Sequence, residues 1–486
     1  MSSHSSRSRN NRATPSRGLE EARTAFDYDD LLAIAAGLQQ SDAGVQAAPL
    51  ALPWSAEPLA RSLVRRLAGL APMAGLIALC WLVDLPVGIG LSALILPVLV
   101  FRLCVLAVPL AQHDDPIDLP DDGWPVYSVL VPLYREPEII GQLLEKLEKL
   151  DYPADRREIL ILLEADDAST LHALLAHALP QAFRLVMVPE GKPRTKPRAL
   201  NYGLALARGA LVVVYDAEDR PAPDQLRRAA CEFGRADSQL ACLQAHLVIT
   251  NAKAHWLARI FAFEYALQFD ALIPRLGLSA WPVTLGGSSN HFRRSSLEQA
   301  GGWDAWNVTE DADLGIRFAR LGLHVRHLAS DTLEDAPDCL RDWFMQRRRW
   351  LKGWLVTAIV HLGEPLRMAR QIGVVQTLLI AIQSLGLVLS VLFWPLTLMA
   401  LPWLVIEGPF AAPLWLFVLL PVGVTIPAIL VPMLMAGTRR GLEPEWRDLV
   451  LLPCYFLLVS AAGWMAVYEF ITRPAGWNKT PHRPAD

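Results

Sequence analysis

The chain has 486 residues, a net charge of −4 and 53% hydrophobic residues, with a mean hydropathy of +0.28. That is too apolar for one soluble domain and too charged in its middle for a pure transporter. The acidic balance gives no electrostatic case for a nucleic-acid partner, and six scattered cysteines without a CxxC pair argue against a zinc site or a disulfide framework.

The chain opens MSSHSSRSRNNRATPSRG, polar and basic, with no apolar core of a cleaved signal peptide. Residues 1–60 are expected to be a disordered cytoplasmic segment. Two apolar runs follow, Leu67 to Val83 and Pro86 to about Leu106, each near the ~20 residues that span a bilayer. Arg61, Arg65 and Arg66 precede the first run, and the turn between the runs has no Lys or Arg. The positive-inside rule therefore predicts a transmembrane hairpin over 61–110 with both outer ends cytoplasmic. Arg102, near the inner end of the second run, is expected to snorkel to the interface.

From 114 to 340 the composition is that of a soluble domain. VYSVLVPLY, REILILLEADD, FRLVMVPE and ALVVVYDAED are short β-rich runs separated by helical patterns. This alternation predicts a parallel sheet with helices on both faces. Ligands of such sheets bind beyond the carboxyl ends of strands, where Tyr134, Glu136, Glu164, Asp166 and Asp216 are expected. After 340 the chain turns apolar again. A basic segment over 341–365 reads as an interfacial helix, and 372–436 as transmembrane helices. The run over 446–472 is interfacial or transmembrane. Basic residues in the tail 473–486 keep that tail cytoplasmic and favour the interfacial placement.

The chemistry concentrates in four places. The run VVVY ends in Asp216, Glu218 and Asp219. Such a cluster is either a strand end turning into solvent or a site for a divalent cation. Like charges so close favour a compensating ion, and oxygen ligands suit Mg²⁺ or Mn²⁺ shared with phosphate oxygens. GKPRTKPRALN places Lys196 ahead of a helix, on the approach where anions are held. In NVTEDADLGIRFARLG, Thr309, Glu310 and Asp311 open an amphipathic helix, either as caps or as reactive carboxylates. QRRRW, from Gln346 to Trp350, is either a membrane-surface stretch or a diphosphate-binding set with an aromatic face. Cations and a metal that neutralise a diphosphate, with a carboxylate that deprotonates a hydroxyl, describe transfer from a nucleotide donor. The flanking spans suggest a lipid acceptor or a product that crosses the bilayer.

The ordered set VPLYRE, LLEADD, TKPRALN, YDAED, VTEDADLG and QRRRW resembles processive membrane glycosyltransferases of family 2, the cellulose, hyaluronan and chitin synthase group, and most of all its XagB-like exopolysaccharide branch. The resemblance runs from about Val126 to the C-terminus. It implies an α/β GT-A nucleotide-sugar-binding domain set between transmembrane helices. It also implies inverting, metal-dependent transfer with Mg²⁺ or Mn²⁺, on the cytoplasmic face of a bacterial inner membrane. By this resemblance Tyr134, Glu136, Glu164, Asp166, Lys196 and Asp216 meet the donor. The metal falls to Asp216 with Glu218 or Asp219, and Asp311 is the base. Gln346, Arg349 and Trp350 meet the diphosphate and the acceptor. Trp477, Lys479 and Thr480 in WNKTPH resemble a gating loop. Implied partners are a nucleotide-sugar donor, a growing polysaccharide or lipid acceptor, membrane lipid and accessory exopolysaccharide subunits. UDP-glucose with processive extension of a β-linked polysaccharide is the first expectation. Addition of one sugar to a lipid is the alternative.

Overall fold

The structure, a computed structural model, describes residues 52–82, 87–110, 123–177, 179–407 and 412–473. The segment 1–51 and the gating-like Trp477, Lys479 and Thr480 lie outside the described residues. After a short helical turn over Glu57–Arg61 come two long helices, α1 (Leu63–Leu82) and α2 (Val87–Leu106).

The central domain is built on eight strands: β1 (Tyr127–Leu133), β2 (Arg157–Glu164), β3 (Phe183–Val188), β4 (Leu211–Val214), β5 (Arg220–Pro221), β6 (Leu240–Ile249), β7 (Asn290–Arg293) and β8 (His324–Glu334). They form one sheet in the order β3-β2-β1-β4-β7-β6-β8-β5. The first four strands in space are parallel, as the strand–helix alternation predicts. The sheet as a whole is mixed, because β7 runs antiparallel to both β4 and β6 and β5 runs antiparallel to β8. A wholly parallel sheet was the wrong expectation. The long stretch after β6 returns the chain from the far end, so β7 enters against the direction of its neighbours.

Side chains alternate across the pleat. Val129, Val131 and Leu133 of β1 pack with helix α3 (Ile140–Glu148) on one face. Leu130, Leu160, Val212 and Val214 pack on the other face with α4 (Lys196–Leu206). Strands buried on both faces need continuous apolar runs, which is why LILL and LVVV read as they do.

Four more elements of this half position the site: α5 (Gln225–Arg235), α6 (Trp256–Ala266), α7 (Glu310–Arg320) and α8 (Leu340–Leu362). The basic segment expected over 341–365 is the single helix α8. Beyond it lie α9 (Val374–Ala381), which continues through a π-helical turn (Ile382–Gly386) into α10 (Leu387–Glu407), then α11 (Ala412–Thr425), α12 (Val431–Arg439) and α13 (Trp446–Thr472). Among the described residues, three helical stretches are long and apolar enough to cross a membrane: Val374–Thr397, Leu419–Arg439 and Trp446–Thr472.

Helix α13 lies alongside α8. Trp343 meets Tyr455, Leu351 meets Gly463, and Leu355 and Val356 pack with Phe470. Its opposite stripe, including Trp446, Val450, Leu457, Trp464 and Tyr468, is exposed and apolar. The expectation for residues 1–60 needs correction at its end. Residues 54–61 form an ordered strap on the domain: Ala56 N–H donates to Asp304 (2.5 Å), and the Trp54 ring lies 3.8 Å from the Arg320 guanidinium. Asp304 and Arg320 are far along the sequence, so no local pattern announces this docking.

Candidate active site

The carboxyl ends of β1, β2 and β4 open onto a cavity of about 380 Å³. After β1 the chain turns sharply at Arg135, whose φ is +56°. The Tyr134 ring lies between the Arg135 and Arg194 guanidinium groups, 4.9 and 6.0 Å from its centre. Arg194 also pairs with Asp166. At the end of β2, Arg198 donates to Glu164 at 2.6 Å. Burial raises the Glu164 carboxyl above the usual range, with Arg198 and Arg194 acting against it. Tyr134, Glu136 and Glu164 line the cavity, whereas Asp166 stands beside it, held by Arg194.

Strand β4 delivers Tyr215 into the core and Asp216 into the cavity. Lys196, the first residue of α4, reaches across to Asp216 at 2.6 Å and donates to the Gly287 carbonyl at 2.8 Å. Burial acts to lower the Lys196 ammonium. Asp216, Asp311 and Glu310 outweigh burial and hold the ammonium above its usual range. The three carboxylates of the cluster take different roles. Asp219 turns inward, 2% exposed, where it accepts from Asp216 N–H at 2.7 Å and from the Ser288 hydroxyl. Both bonds fall on its Oδ2 and hold the turn together, while the residue still lines the cavity beside Asp216 and Glu218. Asp216 and Glu218 face the cavity together with Glu334 at the end of β8, an acid that the sequence reading passed over.

Asp311 sits in the first turn of α7, 5% exposed. Its Oδ1 is buried without a hydrogen-bond partner, and its side chain lines the cavity. Burial, reinforced by Glu310 and Asp216, pushes the Asp311 carboxyl well above the usual range, while Lys196 opposes the shift. A raised pKa suits a proton acceptor. Helix α7 can lie this close to α8 because Gly353 leaves room: a Cβ there would sit 2.3 Å from the Thr309 hydroxyl. Further along, a buried hydrogen bond between His361 and Asp313 at 2.9 Å joins the two helices, and Arg317 pairs with Asp313 at 2.8 Å within α7.

Helix α8 brings Gln346, Arg349 and Trp350 to the cavity wall. Gln346 Oε1 and Arg349 Nε are buried and unpartnered. Arg347 behaves differently. It forks onto Glu264 of α6 at 2.9 and 2.6 Å. Around it stand the rings of Phe261, Trp343, Trp350 and Tyr455, 4.7 to 5.6 Å from the guanidinium. It is the structural pin of the QRRRW run. Nothing in the sequence singles out the first arginine of three as buried, since its partner Glu264 lies far upstream on another element.

The cavity continues past the acids toward the membrane helices, where Leu387 and Val391 of α10 and Val459 of α13 line it. Arg102 of α2 is also in its wall. The expected snorkelling toward the interface is therefore not what the side chain does.

Residues 211–437 match the family model described as "Glycosyl transferase family group 2". The chain carries a family 2 glycosyltransferase domain. It is 29% identical over 256 residues to "Probable glycosyltransferase YdaM" of Bacillus subtilis, covering 51% of this chain and 59% of that protein. It is 31% identical over 237 residues to "Beta-monoglucosyldiacylglycerol synthase" of Synechocystis sp., covering 47% of this chain and 48% of that protein. The chain thus spans about half the length of these curated relatives. Among solved structures, a mannosyltransferase from Pyrobaculum calidifontis in complex with GDP-Man and Mn²⁺ aligns with a TM-score of 0.48 at 20% identity, covering 77% of this chain and 99% of that one. The fold is α/β on a mixed sheet, and apolar helices follow the sheet in the chain.

The donor set fits a divalent cation. Asp216, Glu218 and Glu334 supply only oxygen, the ligand type that Mg²⁺ and Mn²⁺ take. Among the described residues, no group of three Asp, Glu, His or Cys side chains is placed to hold a metal ion by itself.

Proposed function

We propose that this protein is an inverting membrane glycosyltransferase that moves a sugar from a nucleotide-sugar donor to an acceptor drawn from the bilayer. The observation that carries the reading is the single cavity, which joins the carboxylates Asp216 and Asp311 to apolar walls contributed by α10 and α13. UDP-glucose remains the first donor to try, and membrane lipid is the acceptor the geometry supports best. The Synechocystis relative, a beta-monoglucosyldiacylglycerol synthase, supports the same direction.

The residues divide the work. Tyr134, Glu136, Glu164 and Asp166 hold the nucleoside. Lys196 and Arg349 meet the diphosphate and stabilise the charge that develops on it as it leaves. Asp216 and Glu218 would hold Mg²⁺ or Mn²⁺, which would supply further neutralisation of that charge. Asp311 accepts the proton of the acceptor hydroxyl. The hydroxyl oxygen bonds to the anomeric carbon from the face opposite the diphosphate, the old carbon–oxygen bond breaks, and a nucleoside diphosphate departs. One displacement with one base inverts the anomeric centre. Gln346 and Trp350 flank the acceptor. The catalytic domain faces the cytoplasm, where nucleotide sugars are made.

A second reading, processive extension of a β-linked polysaccharide, is favoured by the placement of Gln346, Arg349 and Trp350 together on the cavity wall. The test is product size. Membrane vesicles containing the protein receive radiolabelled UDP-glucose with Mg²⁺ or Mn²⁺. A small, solvent-extractable product supports the lipid acceptor, and a high-molecular-weight, glucanase-sensitive product replaces it with the polymer. If no nucleotide sugar in a panel with UDP-GlcNAc and GDP-mannose gives either product, the transferase reading fails.

A further inference from the structure

Arg102 is the one arginine that α2 carries, on a helix otherwise built from apolar and small residues. Its guanidinium lines the membrane side of the catalytic cavity. Among the described residues it has no hydrogen bond and no ion pair within 4 Å; Glu264 acts on it only at longer range. Glu264 cannot neutralise it closely, because one carboxylate oxygen accepts from Arg347 at 2.9 Å and the other from Arg347 at 2.6 Å and the Tyr455 hydroxyl at 2.5 Å. Two arginines thus share one carboxylate, which leaves a net positive charge at this end of the cavity. An arginine set among membrane helices without a partner is costly, and such residues mark functional sites.

A second, smaller cavity of about 70 Å³ adjoins at this point, with Arg102, Gln268, Thr284, Trp354 and Leu387 in the walls of both. Its own lining is mostly apolar: Val98, Phe101 and Val105 of α2, Leu272, Leu276, and Ile382 in the π-helical turn after α9, with Gln383 as its one polar member. From the reacting carboxylates outward, the order of chemistry is acid, cation, then hydrocarbon.

We propose that Arg102 is the head-group contact of the acceptor subsite, and that the acceptor is a lipid bearing an anionic phosphate and a free head-group hydroxyl, the hydroxyl turned to Asp311 and the tail lying between α2 and the α9–α10 turn. The inference rests on the bilayer-acceptor reading above and specifies its substrate class. The guanidinium fork matches two phosphate oxygens, and the apolar side cavity takes the first part of a tail. A neutral glycan would satisfy neither the charge nor the hydrocarbon wall.

The experiment is a binding titration that needs no turnover. The full-length protein in neutral detergent is titrated with dihexanoyl phosphatidic acid, dihexanoylglycerol, inorganic phosphate and cellotetraose. Binding is read by tryptophan fluorescence, since Trp354 lines both cavities. Phosphatidic acid is expected to bind at least about tenfold more tightly than the diacylglycerol. Arg102→Gln is expected to weaken phosphatidic acid by roughly 30-fold while leaving the diacylglycerol unchanged, and Arg102→Lys to recover part of the loss. Equal affinity for the two lipids in the unmodified protein overturns the proposal. So does unchanged phosphatidic acid binding in Arg102→Gln, inorganic phosphate alone binding as well as the lipid, or competition by cellotetraose. If Arg102→Gln elutes as aggregate, the comparison of the two lipids on the unmodified protein and on Arg102→Lys decides. UDP binding is measured in parallel: its loss sinks the transferase reading, whereas lipid binding stands or falls separately.

Discussion

Replacing Arg347 with Gln tests whether this arginine is a pin of the fold or a ligand of the substrate. The variant removes both charge-assisted bonds to Glu264 and the contacts with four rings. Breaking one side of a fully buried ion pair costs about 3–5 kcal/mol. The Glu264 side chain keeps 35% of its surface open to the cavity, so solvent screens part of that loss and about 2 kcal/mol is the better figure. The ring contacts add to this loss, since the Arg347 side chain is only 7% exposed and a desolvated cation–π contact is worth about 2 kcal/mol. The assay is thermal unfolding in detergent of Arg347→Gln, Glu264→Gln and the double variant. Each single variant is expected to melt several degrees lower. The double variant is expected to melt no lower than the worse single one, because the stranded charge is gone. Strictly additive shifts would refute the pairing, and an unshifted Arg347→Gln that loses only donor affinity would make the residue a ligand instead.

Other consequences concern the site itself. Glu310 pushes up the Asp311 carboxyl. A base works ionised, so activity falls as pH drops through the Asp311 pKa; Glu310→Gln lowers that pKa and moves the acid limb of kcat/KM to lower pH. A limb that stays in place or moves upward would contradict the coupling. Asp216→Ala is expected to abolish the Mn²⁺-dependent part of UDP binding, measured by calorimetry with and without the ion. Trp54→Ala removes the ring that covers Arg320 and is expected to lower the melting temperature by a few degrees with Trp54→Phe close to unchanged; equal losses in both variants would mean the strap is not held by that stacking.

The parts of the molecule legible in the sequence are those whose cause is local. The runs LILL and LVVV show strands buried on both faces, and the acids that close them mark the cavity because strand ends open there. Asp311 and Arg349 were found through the family resemblance, on helices whose amphipathic spacing is visible. What escaped depends on contacts between distant residues. Asp219 looks like Asp216 until Ser288 and the Asp216 amide are both seen to meet its Oδ2. Arg347 and Arg349 are indistinguishable as letters, and only Glu264 shows that Arg347 is held by the fold while Arg349 lines the cavity. Strand β7 reversed the expected sheet direction because a return path after a long excursion leaves no periodic signal. Arg102 followed the rule for arginines near helix ends until the cavity beside it was known.

The most direct test of the central claim compares the unmodified protein with Asp311→Asn in inverted membrane vesicles, with a labelled nucleotide sugar and Mg²⁺ or Mn²⁺. The substitution keeps the size of the side chain and removes its capacity to take a proton. Turnover is expected to fall by roughly 10²–10⁴-fold with donor binding nearly intact. Full transfer by Asp311→Asn would contradict the assignment of the base and, with it, the account of how this cavity works.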